Sequence, residues 1–197
     1  MLIMFVCTGN ICRSPMGELL LAHYLAGTTV RVTSAGTRGL PQHPMDPSSA
    51  KLMSSVGIDS SRFRSKRLTA DMVQSADLIL CFEERQRKDI VSLDPSAVQY
   101  TFLLTEFAKL CEYCGQHRMV VGLTIQQRLY SVIVSAPAIR PLLPKVADIA
   151  DIEDPHGKDF GEFRRTAEQM NQALRMVLTC MRKHYYDEFA NKAAKIS

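Results

Sequence analysis

The first fifteen residues restrict the fold of this chain more than any other segment. The apolar run from Leu2 to Val6 is typical of a buried strand. It is followed by Cys7-Thr8-Gly9-Asn10-Ile11-Cys12-Arg13-Ser14-Pro15, and residues 16–22 are typical of the opening of a helix. A strand, a tight loop with glycine and a helix N-terminus turn successive backbone N–H groups toward one point, where the helix dipole favours negative charge. The sequence therefore predicts an anion-binding loop at the N-terminus.

Two residues of this loop indicate its chemistry. Cys7 opens the loop and Arg13 lies six residues later. A helix N-terminus and a nearby arginine favour the thiolate form of a cysteine, which is a strong nucleophile. The planar guanidinium of Arg13 suits two oxygens of a tetrahedral oxyanion. A cysteine in such a cup favours attack on phosphorus, although the spacing alone is also compatible with a core cysteine and a surface arginine.

Two further side chains of the loop support this interpretation. The Ser14 hydroxyl can donate a hydrogen bond to the Cys7 sulfur when sulfur becomes the leaving group. Asn10 can hold a left-handed turn, for which we expect its side chain to bond to its own backbone.

The loop resembles the active-site loop of the low-molecular-weight protein tyrosine phosphatases. The resemblance implies an α/β fold, with three layers (α/β/α) and a four-stranded parallel sheet of the flavodoxin-like type. In that family the general acid is an aspartate of an Asp-Pro dipeptide near the C-terminus. Here Asp154 and Pro155 supply the dipeptide, within Asp151-Ile152-Glu153-Asp154-Pro155-His156-Gly157. Asp151 and Glu153 are rival carboxylates for this role.

The resemblance also implies a set of site residues. It makes Cys7, Arg13 and Asp154 catalytic. It places the phosphate on the loop formed by Thr8, Gly9, Asn10, Ile11, Cys12, Arg13 and Ser14. Ser34 is expected to brace Asn10, although a serine that simply ends a strand has the same spacing. His156 stands where the family usually has an aromatic residue beside the substrate ring, and the family's structural histidine is absent from Phe63-Arg64-Ser65-Lys66-Arg67.

The substrate and the reaction have alternatives. Ile11 favours a phosphotyrosine ester, because relatives that dephosphorylate arginine carry a threonine at the matching position. The expected substrate is a phosphotyrosine-containing protein, with a tyrosine kinase as one candidate, and the product is inorganic phosphate. Protein arginine phosphatase is the first alternative. Arsenate reductase is the second, because Cys81, Cys111 and Cys114 could act as resolving cysteines.

Metals and cofactors are not expected, because Arg13 and the loop amides supply the positive field. Cys111, Cys114 and His117 have a ligand-like spacing, but no second cysteine pair completes a structural site. Cys12 has two interpretations of equal weight: it traps oxidised Cys7 as a disulfide, or it only packs.

Bulk properties limit the other classes of function. The net charge of +4 is too small to indicate a nucleic-acid partner, and no apolar run is long enough to span a membrane. The chain begins with a core strand and no signal peptide, so we expect reduced cysteines and a cytoplasmic location.

The remaining pattern predicts one phosphatase domain over residues 1–197. Further strands are expected at residues 30–34, 77–82 and 98–102, and Ser48 and Ser49 are expected to cap a helix. Asp159 or Gly161 opens a long C-terminal helix. Residues 115–147 resemble an insertion that either covers the mouth of the site or extends away from it. Within it, residues 124–134 have a helical period, and Pro137 is expected to break the helix.

Overall fold

A four-stranded parallel sheet forms the centre of the fold, as predicted. The computed structural model describes residues 1–143 and 151–182. The strand order is β2-β1-β3-β4, and the strands span Leu2–Cys7 (β1), Arg31–Gly36 (β2), Leu78–Cys81 (β3) and Thr101–Leu103 (β4). Cys7 pairs with Gly36 at the last position of the β1–β2 ladder, so Cys7 lies at the carboxyl edge of the sheet. Ligands of open parallel sheets bind at this edge.

Helices connect the strands and cover both faces of the sheet. They span Arg13–Tyr24 (α1), Pro47–Ser55 (α2), Ala70–Ser75 (α3), Glu84–Leu93 (α4), Leu104–Gln116 (α5), Ile125–Ile139 (α6) and Phe160–Cys180 (α7). Within the described part of the chain, no helix combines the length and apolarity needed to cross a bilayer.

Two apolar clusters give the fold three layers. Alternate residues of a strand face opposite sides, so Phe5 packs into one cluster and Val6 into the other. The larger cluster joins the sheet to α1, α2, α5, α6 and α7, and the smaller one joins it to α3 and α4. This arrangement is the predicted α/β/α architecture.

Three local predictions were wrong. Asp46, not Ser48 or Ser49, is the N-cap of α2, because its carboxylate accepts hydrogen bonds from both serine N–H groups. The fourth strand covers only Thr101–Leu103, because Pro95 starts a 3₁₀ turn over Pro95–Gln99. Pro137 lies inside α6 and does not end it. It is only two residues from the end of the helix, so little of the helix depends on the hydrogen bond that proline cannot donate.

The described part of the predicted insertion lies away from the carboxyl edge of the sheet. At the start of α6, the Gln126 side chain accepts a hydrogen bond from the Met1 amino group, which precedes β1. At its end, Arg140 donates to the backbone carbonyl of Thr101, the first residue of β4. Both contacts are at the amino ends of parallel strands, so α6 lies along the edge of the sheet opposite Cys7. Residues 144–147 of the predicted insertion lie outside the described residues.

Candidate active site

The loop after β1 forms a cup around the Cys7 sulfur. Cys7 is buried, with 3% exposure. Its Sγ lies 3.0 Å from the Ser14 hydroxyl and accepts a hydrogen bond from the Asn10 backbone N–H at 3.2 Å. Helix α1 begins at Arg13, three residues earlier than the pattern suggested, so its N-terminus lies within the loop that carries this sulfur. The sulfur thus lies among hydrogen-bond donors that suit the binding of an anion beside it.

Asn10 fixes the shape of the cup. It is fully buried and has a φ of 55°, in the left-handed region. Its Nδ2 donates to the hydroxyls of Ser14 at 2.9 Å and Ser34 at 2.8 Å, and its Oδ1 accepts from the Lys66 N–H at 2.7 Å. The left-handed turn was therefore predicted, but the expected bond to its own backbone was not found, because the side chain instead joins three other segments.

Ser34, one of the hydrogen-bond partners of Asn10, is itself held by a further contact. Ser34 lies in β2 and donates through its hydroxyl to Glu18 Oε2 at 2.5 Å. Burial raises the pKa of Glu18, and the Ser34 hydroxyl opposes this shift. Gly36 ends β2 where a Cβ would lie 2.7 Å from the Thr8 carbonyl, so only glycine allows the strand to approach the loop this closely. The Lys66 backbone N–H thus braces the loop through its hydrogen bond to Asn10.

Arg13 is buried beneath the cup and connects it to distant segments. Its Nη1 donates to the Ile152 carbonyl at 2.8 Å and to the Glu83 carboxylate. Its Nη2 lies 2.7 Å from Asp154 Oδ2. Its Nε is buried without a hydrogen-bond acceptor among the described residues. A buried donor that lacks an acceptor is costly, so this nitrogen favours binding of an anion beside it.

The three rival carboxylates of the Asp-Pro segment occupy different environments. Asp154 pairs with Arg13, remains 44% exposed and accepts a hydrogen bond from the His156 N–H at 3.2 Å. Glu153 pairs instead with Lys158 at 2.8 Å, and this contact lowers its pKa. Asp151 is exposed, and the segment is attached to the sheet by the Ile152 N–H, which donates to the Phe82 carbonyl at 3.0 Å. Of the three, only Asp154 is seen to pair with the arginine of the cup.

Two residues that sequence analysis missed lie under the loop. Glu83 is the N-cap residue of α4 and pairs with Arg13. Gln86 is buried and donates through Nε2 to Glu83 Oε1 at 3.0 Å and to the Thr8 hydroxyl at 3.3 Å. Both residues follow β3 at the carboxyl edge of the sheet. This position in the chain was the signal from which a contact with the loop could have been predicted. Their hydrogen bonds hold the Arg13 guanidinium and the loop in fixed positions relative to each other.

The rim of the cup is formed by Cys12, Asp46 and His156. His156 Nδ1 lies 3.9 Å from Cys12 Sγ and 3.9 Å from Asp46 Oδ2. Burial raises the pKa of Cys12, and the carboxylates of Asp46 and Asp154 raise it further. A raised pKa disfavours the thiolate that would attack an oxidised Cys7. Ile11, the predicted specificity residue, is partly exposed in the same loop.

The other cysteines discussed above are buried in a strand or a helix. Cys81 is in β3, and Cys111 and Cys114 are in α5, all three without exposure to solvent. Burial raises the pKa of Cys114 to about 11 and that of Cys111 well above its ordinary value. His117 Nδ1 contacts the Tyr113 carbonyl at 2.9 Å.

Comparison with known proteins identifies relatives of this chain. The family model "Low molecular weight phosphotyrosine protein phosphatase" matches residues 2–118, which is more than half of the chain. The probable low molecular weight protein-tyrosine-phosphatase EpsP of Ralstonia nicotianae is 44% identical over 104 residues, covering 53% of this chain and 70% of that protein.

Solved structures extend the likeness to the whole fold. The tyrosine phosphatase AmsI of Erwinia amylovora superposes with a TM-score of 0.65 at 24% identity, covering 90% of this chain and 91% of its own. The YwlE arginine phosphatase of Geobacillus stearothermophilus gives a TM-score of 0.65 at 24% identity, covering 89% of both chains. The fold is thus shared by phosphatases of both substrate classes and does not by itself select between them.

Proposed function

Because the chain belongs to the low molecular weight phosphotyrosine protein phosphatase family, we propose that it hydrolyses phosphotyrosine in proteins through a phosphocysteine intermediate. One observation carries the proposal. The Cys7 sulfur lies in a cup of hydrogen-bond donors, above a buried arginine that is paired with the aspartate of the Asp-Pro dipeptide.

In the first step, the Cys7 thiolate attacks phosphorus in line with the bond to the leaving oxygen. The loop amides and Arg13 bind the equatorial oxygens of the phosphoryl group as their charge develops. The Asp154 carboxyl, in its protonated form, donates its proton to the departing phenolic oxygen. A sulfur–phosphorus bond forms and the phosphorus–oxygen ester bond breaks.

In the second step, water attacks the phosphocysteine and sulfur leaves as a thiolate. Asp154 now accepts a proton from the attacking water, which restores its acid form. The Ser14 hydroxyl, 3.0 Å from the Cys7 sulfur, stabilises the departing thiolate by donating a hydrogen bond to it. Inorganic phosphate is the product, and the mechanism requires neither a metal nor a cofactor.

The preference for tyrosine over arginine depends on Ile11. This branched apolar side chain is partly exposed within the phosphate loop. It favours contact with a flat phenolic ring and disfavours a polar phosphoguanidinium group, which a small hydroxyl side chain would accept better. Protein arginine phosphatase remains the alternative substrate class.

The arsenate reductase alternative has less support. A reductase of this type needs a second cysteine that can reach the oxidised nucleophile. Cys81, Cys111 and Cys114 are buried in a strand and a helix, where burial disfavours their thiolates. These positions are unsuited to a mobile resolving cysteine.

We further propose a cytoplasmic location and a tyrosine kinase as one natural substrate. The cysteines Cys7, Cys12, Cys81, Cys111 and Cys114 are buried thiols outside any disulfide bond, which suits a reducing compartment. A kinase that carries phosphotyrosine would present the ester to the exposed rim of the cup.

The mechanism is tested with para-nitrophenyl phosphate in the presence of EDTA. Cys7→Ser should abolish turnover, and Asp154→Ala should lower kcat by a factor of about 10²–10⁴. Cys114→Ser, a change of a buried cysteine in α5, is the matched control and should remain active. Turnover that survives Cys7→Ser would contradict the proposal, as would arsenate-dependent thiol oxidation faster than ester hydrolysis.

The substrate class needs a separate comparison. Peptides carrying phosphotyrosine or phosphoarginine are compared by kcat/KM. The wild-type protein should prefer phosphotyrosine, Ile11→Thr should move the ratio toward phosphoarginine, and Ile11→Val should retain the preference as a matched apolar control. A wild-type preference for phosphoarginine would establish the alternative.

A further inference from the structure

Three potential metal ligands from separate segments meet beside the phosphate loop. They are Cys12 of the loop, Asp46 at the start of α2 and His156 after the Asp-Pro dipeptide, and their ligand atoms lie within 4.8 Å of one another. Among residues 1–143 and 151–182, no other set of three or more His, Cys, Asp or Glu side chains meets this criterion. We propose that these three residues, the rim cluster, bind a thiophilic divalent cation, zinc in particular.

The distances within the rim cluster suit such an ion. A tetrahedral zinc ion with ordinary bond lengths holds a sulfur and a nitrogen ligand about 3.6 Å apart, and a nitrogen and an oxygen ligand about 3.4 Å apart. The corresponding separations are 3.9 Å for Cys12 Sγ and His156 Nδ1, and 3.9 Å for His156 Nδ1 and Asp46 Oδ2. Closing these two gaps requires shifts of about half an ångström, and Cys12 Sγ and the Asp46 carboxylate, which lie within 4.8 Å of each other, must approach to about 3.6 Å.

The fold holds the Asp46 ligand in place, and the His156 ligand is free to shift. The Asp46 carboxylate uses Oδ1 to accept from the Ser48 and Ser49 N–H groups, at 2.9 and 3.4 Å, which turns Oδ2 toward His156. The Asp46 N–H donates to the Ile11 carbonyl at 2.9 Å, so the carboxylate is fixed relative to the loop. The His156 side chain is 61% exposed, so its ring can move.

The donor types select the metal. A cysteine sulfur, which releases its proton to solvent as the ion binds, and an imidazole favour zinc over magnesium or calcium, which prefer oxygen ligands. The carboxylates of Asp46 and Asp154 add negative charge around Cys12, and a dication compensates it. Three protein ligands leave a fourth position for water, an arrangement typical of open zinc sites, so binding should be reversible by chelation.

Zinc at the rim should slow turnover. The ion would join the phosphate loop to the Asp-Pro segment through His156, two residues from Asp154. It would also hold the imidazole against Cys12, away from the ring of an incoming substrate. This inhibitory consequence rests on the proposed function, whereas binding of the ion does not.

Binding is tested in the full chain with Cys7→Ser, which removes the nucleophile as a competing ligand. Zinc is titrated in competition with a chromogenic chelator, and cobalt is titrated to observe thiolate-to-metal charge-transfer absorption. One equivalent of zinc and a charge-transfer band are expected. Adding Cys12→Ser should abolish the band, and adding Cys12→Ser, Asp46→Asn or His156→Ala should weaken zinc binding at least about tenfold.

The variants are matched so that loss of folding cannot imitate loss of a ligand. Asparagine caps a helix as well as aspartate does, so Asp46→Asn keeps the start of α2, and His156 is on the surface. His43→Ala removes an exposed histidine outside the rim cluster and should leave zinc affinity unchanged. Equal zinc affinity with and without Cys12→Ser and His156→Ala, or a missing charge-transfer band, would overturn the proposal.

Inhibition is measured separately in the protein with Cys7 intact. Zinc should inhibit hydrolysis of para-nitrophenyl phosphate, EDTA should reverse the inhibition, and His156→Ala should raise the half-inhibitory zinc concentration at least about tenfold. Equal inhibition of both proteins would assign the effect to Cys7 and contradict regulation through the rim cluster. Failure of the phosphatase assay itself would leave the binding result intact.

Discussion

Asn10 offers the most direct test of how the cup is stabilised. The perturbation is a pair of substitutions, Asn10→Gly and Asn10→Ala. Both remove the side-chain hydrogen bonds to Ser14, Ser34 and Lys66, but only alanine adds a cost for the φ of 55°. Glycine adopts this conformation freely, although it gains more conformational entropy in the unfolded chain.

The magnitudes follow from these contacts. Three buried hydrogen bonds at about 1 kcal/mol each give a loss of about 3 kcal/mol for both variants. The left-handed conformation adds about 1–2 kcal/mol for alanine, and chain entropy adds about 0.5–1 kcal/mol for glycine. Asn10→Ala should therefore lose about 4–5 kcal/mol and should be the less stable of the two. Such a loss is a large part of a typical stability of about 5–15 kcal/mol.

The assay is urea unfolding followed by far-UV circular dichroism, because the chain has no tryptophan for a fluorescence signal. Asn171→Ala is the control, since Asn171 accepts a single exposed hydrogen bond from the Tyr24 hydroxyl. It should cost less than about 1 kcal/mol. An Asn10→Gly protein as stable as wild type would refute the view that this side chain holds the loop. An Asn10→Ala protein clearly more stable than Asn10→Gly would refute the strain argument.

Three further predictions test other contacts of the site. Asp154→Asn should lower kcat more for a phosphotyrosine peptide than for para-nitrophenyl phosphate, because nitrophenolate needs less protonation to leave; equal losses for both substrates would argue against general-acid catalysis. Gly36→Ala should destabilise the protein by about 1–3 kcal/mol in urea unfolding, because the new Cβ would lie 2.7 Å from the Thr8 carbonyl. Gly9→Ala is the control, and it should change stability much less, because no atom would lie nearer than 3.5 Å to its Cβ. Burial raises the pKa of Glu18, so the folded protein holds this proton more tightly than the unfolded chain, and the free energy of unfolding should fall as the pH rises above the ordinary value of 4.5. Glu18→Gln should flatten this dependence in urea titrations at several pH values, and an unchanged slope would contradict the assignment.

The sequence was most informative where structure is determined locally. The run Leu2–Val6, the following loop and the opening of α1 are adjacent in sequence, so their pattern predicted the anion-binding cup, whereas the four-stranded parallel sheet was implied by the family resemblance. Boundaries were less accurate where two signals competed. At α2, serines and an aspartate are all good caps, and the aspartate lies one residue before the proline that starts the helix.

The partners of the catalytic candidates were harder to predict, because they come from distant parts of the chain. Glu83 and Gln86 reach the cup from α4, and Lys66 reaches it through its backbone, which has no side-chain signature. Ser34 and Asp154 were anticipated only through the family resemblance. Spacing along one sequence does not specify which segments approach one another across the carboxyl edge of a sheet.

The attachment of the Asp-Pro segment explains how the fold accommodates the long stretch before it. The Ile152 N–H donates to the Phe82 carbonyl at 3.0 Å, and its carbonyl accepts from Arg13 at 2.8 Å, so contacts with the sheet and the cup set the position of Asp154. The entropy of closing a loop grows only slowly with its length. Helix α6 also buries its own apolar face, through Leu129, Val132 and Ala136, in the larger cluster. A long connection between β4 and Asp154 therefore need not displace the aspartate from the arginine, because the geometry of the pair depends on these anchors and not on the length of the chain between them.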